Sequence, residues 1–142
     1  MKKRVIAFLC AALLLLSSAG TISAIEPRAS TVIAGYGIGL EANGDSVMTV
    51  NFRVYAPQVV KKIGAVQIEI KYFDGEDWAH YTTFTPTENP NFYDYDSAMS
   101  VHSKSFTGIP GTEYQAFLLA FSQGYDGTTA MRNAESQTAV CY

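Results

Sequence analysis

The side chains best equipped for chemistry in this chain are two histidines, one late cysteine and a short acidic run. His80 and His102 are the only imidazoles. An imidazole can act as a general base if a nucleophile and an orienting group stand within hydrogen-bond reach. Cys141, His80 and an aspartate would supply those types, but no spacing demands their meeting. Surface imidazoles on strands are the simpler reading. Asn91, Asp94 and Asp96, with Glu88 nearby, could offer oxygens to Ca²⁺, which takes six to eight hard ligands. Tyr93 and Tyr95 interrupt these acids, and no EF-hand-type glycine follows, so a solvated turn is the plainer account. Asp94 and Asp96 could also serve as acid and base in glycoside hydrolysis, given a cleft of suitable width. A domain of this size has little room for one.

Strong catalytic motifs are missing. The chain has no His-Glu-x-x-His, no Gly-x-Ser-x-Gly and no Walker loop. Gly35-Tyr36-Gly37-Ile38-Gly39 is glycine-rich, but Leu40 occupies the third-glycine position of a dinucleotide loop. It reads as a glycine-loosened strand. No catalytic residue and no cofactor is assigned, and a non-enzymatic protein is expected.

Position along the chain narrows the setting. Lys2, Lys3 and Arg4 precede an apolar run from Val5 to Leu16, and small residues follow up to Ala24. That order is the order of a secretory signal peptide. The run is too short for a spanning helix, which needs about 20 residues. Residues 1–24 are therefore expected to be cleaved, leaving one domain at 25–142, secreted or held at the cell surface. Beyond residue 24 stand seven basic against thirteen acidic residues, a net charge of −6. Such a domain is a poor partner for nucleic acid or an anionic membrane. Lys61-Lys62 is its only basic pair, expected in a solvated loop. Cys141 is its only cysteine. A lone exported cysteine can be a small buried hydrophobe, a reactive thiol or the bridge of a disulfide-linked dimer.

Alternation of period two dominates after the signal. Met48, Val50, Phe52, Val54 and Ala56 alternate with polar neighbours, as do Val66, Ile68, Ile70 and Tyr72, and again Tyr114, Ala116, Leu118 and Ala120. Successive strand side chains face opposite ways, so each set can enter a core. Turn signals at Asn43-Gly44-Asp45, Asp74-Gly75, Pro110-Gly111 and Gly124/Gly127 separate the runs. Strands are expected at about 31–42, 48–56, 66–72, 78–84, 99–106, 114–121 and 128–140. A crossing loop with Pro57 is expected from Ala56 to Gly64, and a long loop from Pro86 to Ser97.

Two segments carry a resemblance. Val66 to Tyr72 with Asp74-Gly75 and Trp78, and Gly108-Ile109-Pro110-Gly111-Thr112-Glu113-Tyr114 with Ala120, resemble strands C–C′ and the tyrosine corner before strand F of fibronectin type III domains. The resemblance implies a seven-stranded antiparallel β-sandwich, immunoglobulin-like, with the Tyr114 hydroxyl bonded back to the backbone. Phe52 stands in the region of strand B usually given a Trp. The whole chain also resembles small exported proteins of Gram-positive bacteria, through Ala24 to Ser30, Ile63-Gly64-Ala65, Trp78 and Tyr114-x-Ala116. That second resemblance implies export and carries no activity.

If Tyr114 to Ala120 face inward, Phe117, Leu119 and Phe121 face outward. An outward apolar stripe is either covered or used. Phe92, Tyr93 and Tyr95 are candidate lids or additional contact residues. The sequence thus points to a secreted, non-catalytic binding module for a protein or glycan. The alternatives are a small hydrolase or glycan-active enzyme using the acidic aromatic loop, and a self-associating structural protein.

Overall fold

Alternating residues become strands throughout the 33–142 segment that this computed structural model describes; the expected signal peptide lies outside the described residues. The strands are β1 (Gly35–Ala42), β2 (Val47–Phe73), β3 (Trp78–Phe84), β4 (Tyr93–Thr107), β5 (Glu113–Gln123), β6 (Thr129–Glu135) and β7 (Ala139–Val140). A single 3₁₀ turn, Pro90–Phe92, interrupts them. All pairings are antiparallel, and they join the seven strands into one curled sheet.

The long strand β2 is the spine. Its first part, Val47 to Tyr55, pairs with β1 on one side and β4 on the other. Its second part, Lys62 to Tyr72, pairs with β5 throughout and with β3 from Ile68 onward. Two expected strands are thus one, and the expected loop from Ala56 to Gly64 is its middle. Pro57 brings no amide donor, and the register slips between Tyr55 and Val60. Pairing resumes because Val60, Lys62, Ile63 and Gly64 meet Ser97, Tyr95, Asp94 and Tyr93. The expected loop from Pro86 to Ser97 shrinks accordingly, its second half being the start of β4. In the other direction, the expected strand at 128–140 is broken into β6 and β7.

The curl is sharp. The His102 Nε2 lies 2.6 Å from Asp94 Oδ2, although both belong to β4. Eight residues of straight strand would hold them about 26 Å apart. The bend coincides with Asp96, whose φ is +51°. Along the curl, inward residues of both halves of β2 share one core: Met48, Val50, Phe52 and Val54 with Ile63, Ala65, Ile68 and Ile70, joined by Tyr114, Ala116, Leu118 and Ala120 of β5. The strict alternation of β5 is kept from Tyr114 to Ser122.

The turn before β5 has the expected corner bond. Tyr114 is fully buried, and its hydroxyl accepts the Ile109 N–H at 2.9 Å. Gly111 supplies a φ of +79° and Thr112 N–H returns to Ile109 O. Tyr81 and Phe106 set their rings edgewise on Tyr114 or close to it, at 5.1 and 5.8 Å. Tyr114→Phe keeps the ring and strands the Ile109 amide. It is expected to lower stability by about 1–2 kcal/mol in urea denaturation, with an unchanged slope. Cys141 closes the same end. Its amide donates to Thr112 O, its carbonyl accepts from Gly111, and it is 1% exposed. A bridge to a second chain would require the tail to leave this seat.

Candidate binding surface

The outward residues of β5 are the organising row. Phe117, Leu119 and Phe121 are each half-buried between fully buried neighbours. Register places the rest. Phe121 stands between Gly64 and Met131, Leu119 between Gln67 and Asn133, and Phe117 between Glu69 and Glu135. Directly opposed residues of antiparallel strands share a face, so these triplets are neighbours on one outer surface.

At one end the surface closes on itself. Gly64 lies between Phe121 on β5 and Tyr93 on β4. Having no side chain, it lets those rings meet across β2, edge to face at 5.9 Å. Lys62 sits among them, its Nζ 3.8 Å from the centre of the Tyr93 ring, 5.7 Å from Phe121 and 5.9 Å from Tyr95. Expected in a solvated loop, Lys62 is instead a strand residue whose ammonium faces three aromatic rings. Burial, and then the neighbouring Tyr95, hold the Tyr93 phenol above the usual tyrosine range.

At the other end the surface is open. A groove of about 420 Å³ is lined by Gln67, Glu69, Phe117, Leu119, Asn133 and Glu135. Its floor is apolar and its walls carry two amides and two carboxylates. Lys71 reaches in from the rim, with Nζ 4.9 Å from the Phe117 ring centre and 4.0 Å from Glu69 Oε1.

The other candidates are dispersed. Phe92 is a correction: it is fully buried, edge-on to Phe52 at 5.2 Å, and presents nothing to a ligand. Its seat follows from the 3₁₀ turn, which points the residue before β4 into the core. Tyr95 is 62% exposed beside the Lys62 cluster. Trp78 lies at the edge, against Phe73. The Asp94 and Asp96 carboxylates have different partners. Asp94 takes His102, and Asp96 accepts a 2.6 Å bond from the Tyr125 hydroxyl. Among the described residues no three His, Cys, Asp or Glu side chains converge as a metal cage. His80 pairs with Thr83, and no hydroxyl or thiol bonds His102 among the described residues.

The bond to Asp96, ahead of burial and the carboxylate charge, raises the Tyr125 phenol above its ordinary value of 10.0. A phenolate there would face a carboxylate. Asp96→Asn removes that repulsion and is expected to lower the Tyr125 midpoint in an ultraviolet tyrosinate titration, with Tyr125→Phe identifying the phase.

Gln67, Glu69 and Lys71 are the polar members of the alternating run from Val66 to Tyr72, and Asn133 and Glu135 fall in the strand expected at 128–140. Only the register shows that they flank Phe117 and Leu119. Compared with known proteins, the chain matches no family model and no curated protein.

Proposed function

We propose that this protein is an exported, non-catalytic binding module that uses the outer face of β2, β5 and β6. The single observation that carries this reading is the half-exposed row Phe117–Leu119–Phe121 with a groove beside it. Concave, mostly apolar sites edged by a few polar groups are the usual form of binding sites. Among the described residues the Gln67, Asn133 and Glu135 side chains around it find no hydrogen-bond or ion-pair partner, which leaves their polar atoms to a guest.

The scaffold of this reading is a fibronectin type III-like β-sandwich. One layer would be β1, the first part of β2, and β4; the other would be β3, the second part of β2, β5 and β6. The approach of β1 to β5 and β6, with which it shares no ladder, supports two facing layers. So does the common core drawn from both halves of β2. The signal-like N-terminus supports export.

The His102–Asp94 pair is the one feature favouring an enzyme. Neither residue lines the Phe117 groove. The test is retention of extracellular proteins and glycans on the immobilised protein, against a Phe117→Ser/Phe121→Ser variant that still melts cooperatively. Retention is expected to fall about tenfold in that variant. It is expected to persist in His102→Ala. Equal retention by the double variant would refute the face, and loss in His102→Ala alone would favour the enzyme.

A further inference from the structure

We infer that the groove between Glu69 and Glu135 takes an arginine side chain of a basic peptide segment, stacked on Phe117; this rests on the binding-module reading above. The first reason is charge. The groove lining carries two carboxylates, Glu69 and Glu135, against the one Lys71 ammonium at its rim, on a domain whose net charge beyond residue 24 is −6. The two acids flank Phe117 on the neighbouring strands, because Glu69 and Glu135 are both its cross-strand partners. A cation over that ring would meet the negative face of its π-system and an acid on either flank.

The second reason is that the chain already holds a cation there. The Lys71 ammonium lies 4.9 Å from the Phe117 centre and 4.0 Å from Glu69. It marks where the surface attracts positive charge. It also satisfies only half of the site. Among the described residues Glu135 has no partner, and neither do the Gln67 and Asn133 amides that edge the same groove. Lys71 is held by one long ion pair at the rim, with about a third of its side chain exposed, so displacing it costs little.

Guanidinium suits the space between Phe117 and Glu135 better than a second ammonium. It is planar, so it can lie flat on Phe117, and its five N–H donors spread toward Glu135 and the amide oxygens at once. A neutral sugar would have to displace the Lys71 ammonium from the ring and offer no charge in return. The same reasoning makes Lys71 a competitor of the ligand, not a contributor to binding.

The test is a titration of the isotope-labelled protein followed by NMR. The probe is a terminally blocked peptide alternating arginine and glycine; the controls are its uncharged citrulline counterpart and cellohexaose. Shifts are expected at the amides of Phe117, Leu119, Asn133 and Glu135 with the arginine peptide, weakening as salt rises. Glu135→Gln should weaken binding about fivefold. Lys71→Met should tighten it about threefold. Both are surface changes that leave the core intact. Equal binding of the citrulline peptide, weaker binding after Lys71→Met, or no shift at the groove would overturn the arginine assignment. A groove response to cellohexaose alone would also overturn it, while leaving the binding module standing.

Discussion

Gly64→Ala is expected to leave no folded domain at 37 °C, a loss of more than about 4 kcal/mol. Two independent costs meet at this residue. Its φ of +150° is one that side-chain-bearing residues rarely adopt. A Cβ built there would also run into the Phe92 carbonyl oxygen, with the Tyr93 backbone just behind it. Backbone cannot swing aside as the end of a lysine can. Gly64 also pairs with β4 and β5 at once, so a shift that relieves the clash must loosen one ladder or the other. The comparison is Gly75→Ala. Gly75 has a φ of +108°, but nothing lies within 4 Å of its added methyl, so it should cost only about 1–2 kcal/mol. Circular dichroism and thermal melts distinguish the two. If Gly64→Ala folds and melts within a few degrees of Gly75→Ala, the close approach of β4 to β2 is not as described.

The same position explains what the sequence could and could not tell. Period-two alternation made the faces of the first part of β2 and of β5 legible, because a strand side chain has only two directions to take. In the second part of β2 it holds for Ile68 and Ile70, while Val66, expected inward, is half-buried at the bulge between Ala65 and Gln67, and Ala65 enters the core instead. Met48, Val50, Phe52 and Val54, and then Tyr114, Ala116, Leu118 and Ala120, are buried as that pattern requires. The turn before Tyr114 was legible for a different reason: Pro110-Gly111 commits the backbone to a turn whatever surrounds it. The middle of β2 was not. Pro57 and Gly64 are local signs of a break, and the partner that overrides them, Tyr93 to Ser97, is itself acidic and turn-like. Each segment is a strand only because the other is there.

The binding surface shows the same division. Phe117, Leu119 and Phe121 could be assigned outward from alternation alone. That Glu69 and Glu135 bracket Phe117 depends on the register of two ladders, and Lys71 on a side-chain direction. None of these has a local signature. Phe92 failed in the opposite sense. Its neighbours Asn91, Tyr93 and Asp94 are polar or surface-seeking, and only the 3₁₀ turn after Asn89 rotates it inward.

Phe92→Ala is therefore expected to behave as a core truncation and to cost about 3–5 kcal/mol. The ring is fully buried in the shared core and meets Phe52 edge-on at 5.2 Å. The cavity cannot collapse readily. On one side the Phe92 carbonyl is set against Gly64, and on the other Pro90 fixes the start of the turn. A loss of that size is a large share of the 5–15 kcal/mol that holds an ordinary domain together, so the midpoint should fall by well over ten degrees. Tyr93→Ala, one residue on, removes a half-buried ring that covers Lys62 and Phe121 on the outside. It should cost about 1 kcal/mol and leave ligand capture at the Phe117 groove intact. The pair of melts separates the two sides of the strand. A small effect at Phe92 with a large one at Tyr93 would mean that the inward and outward faces of early β4 are exchanged, and the aromatic surface would then be core.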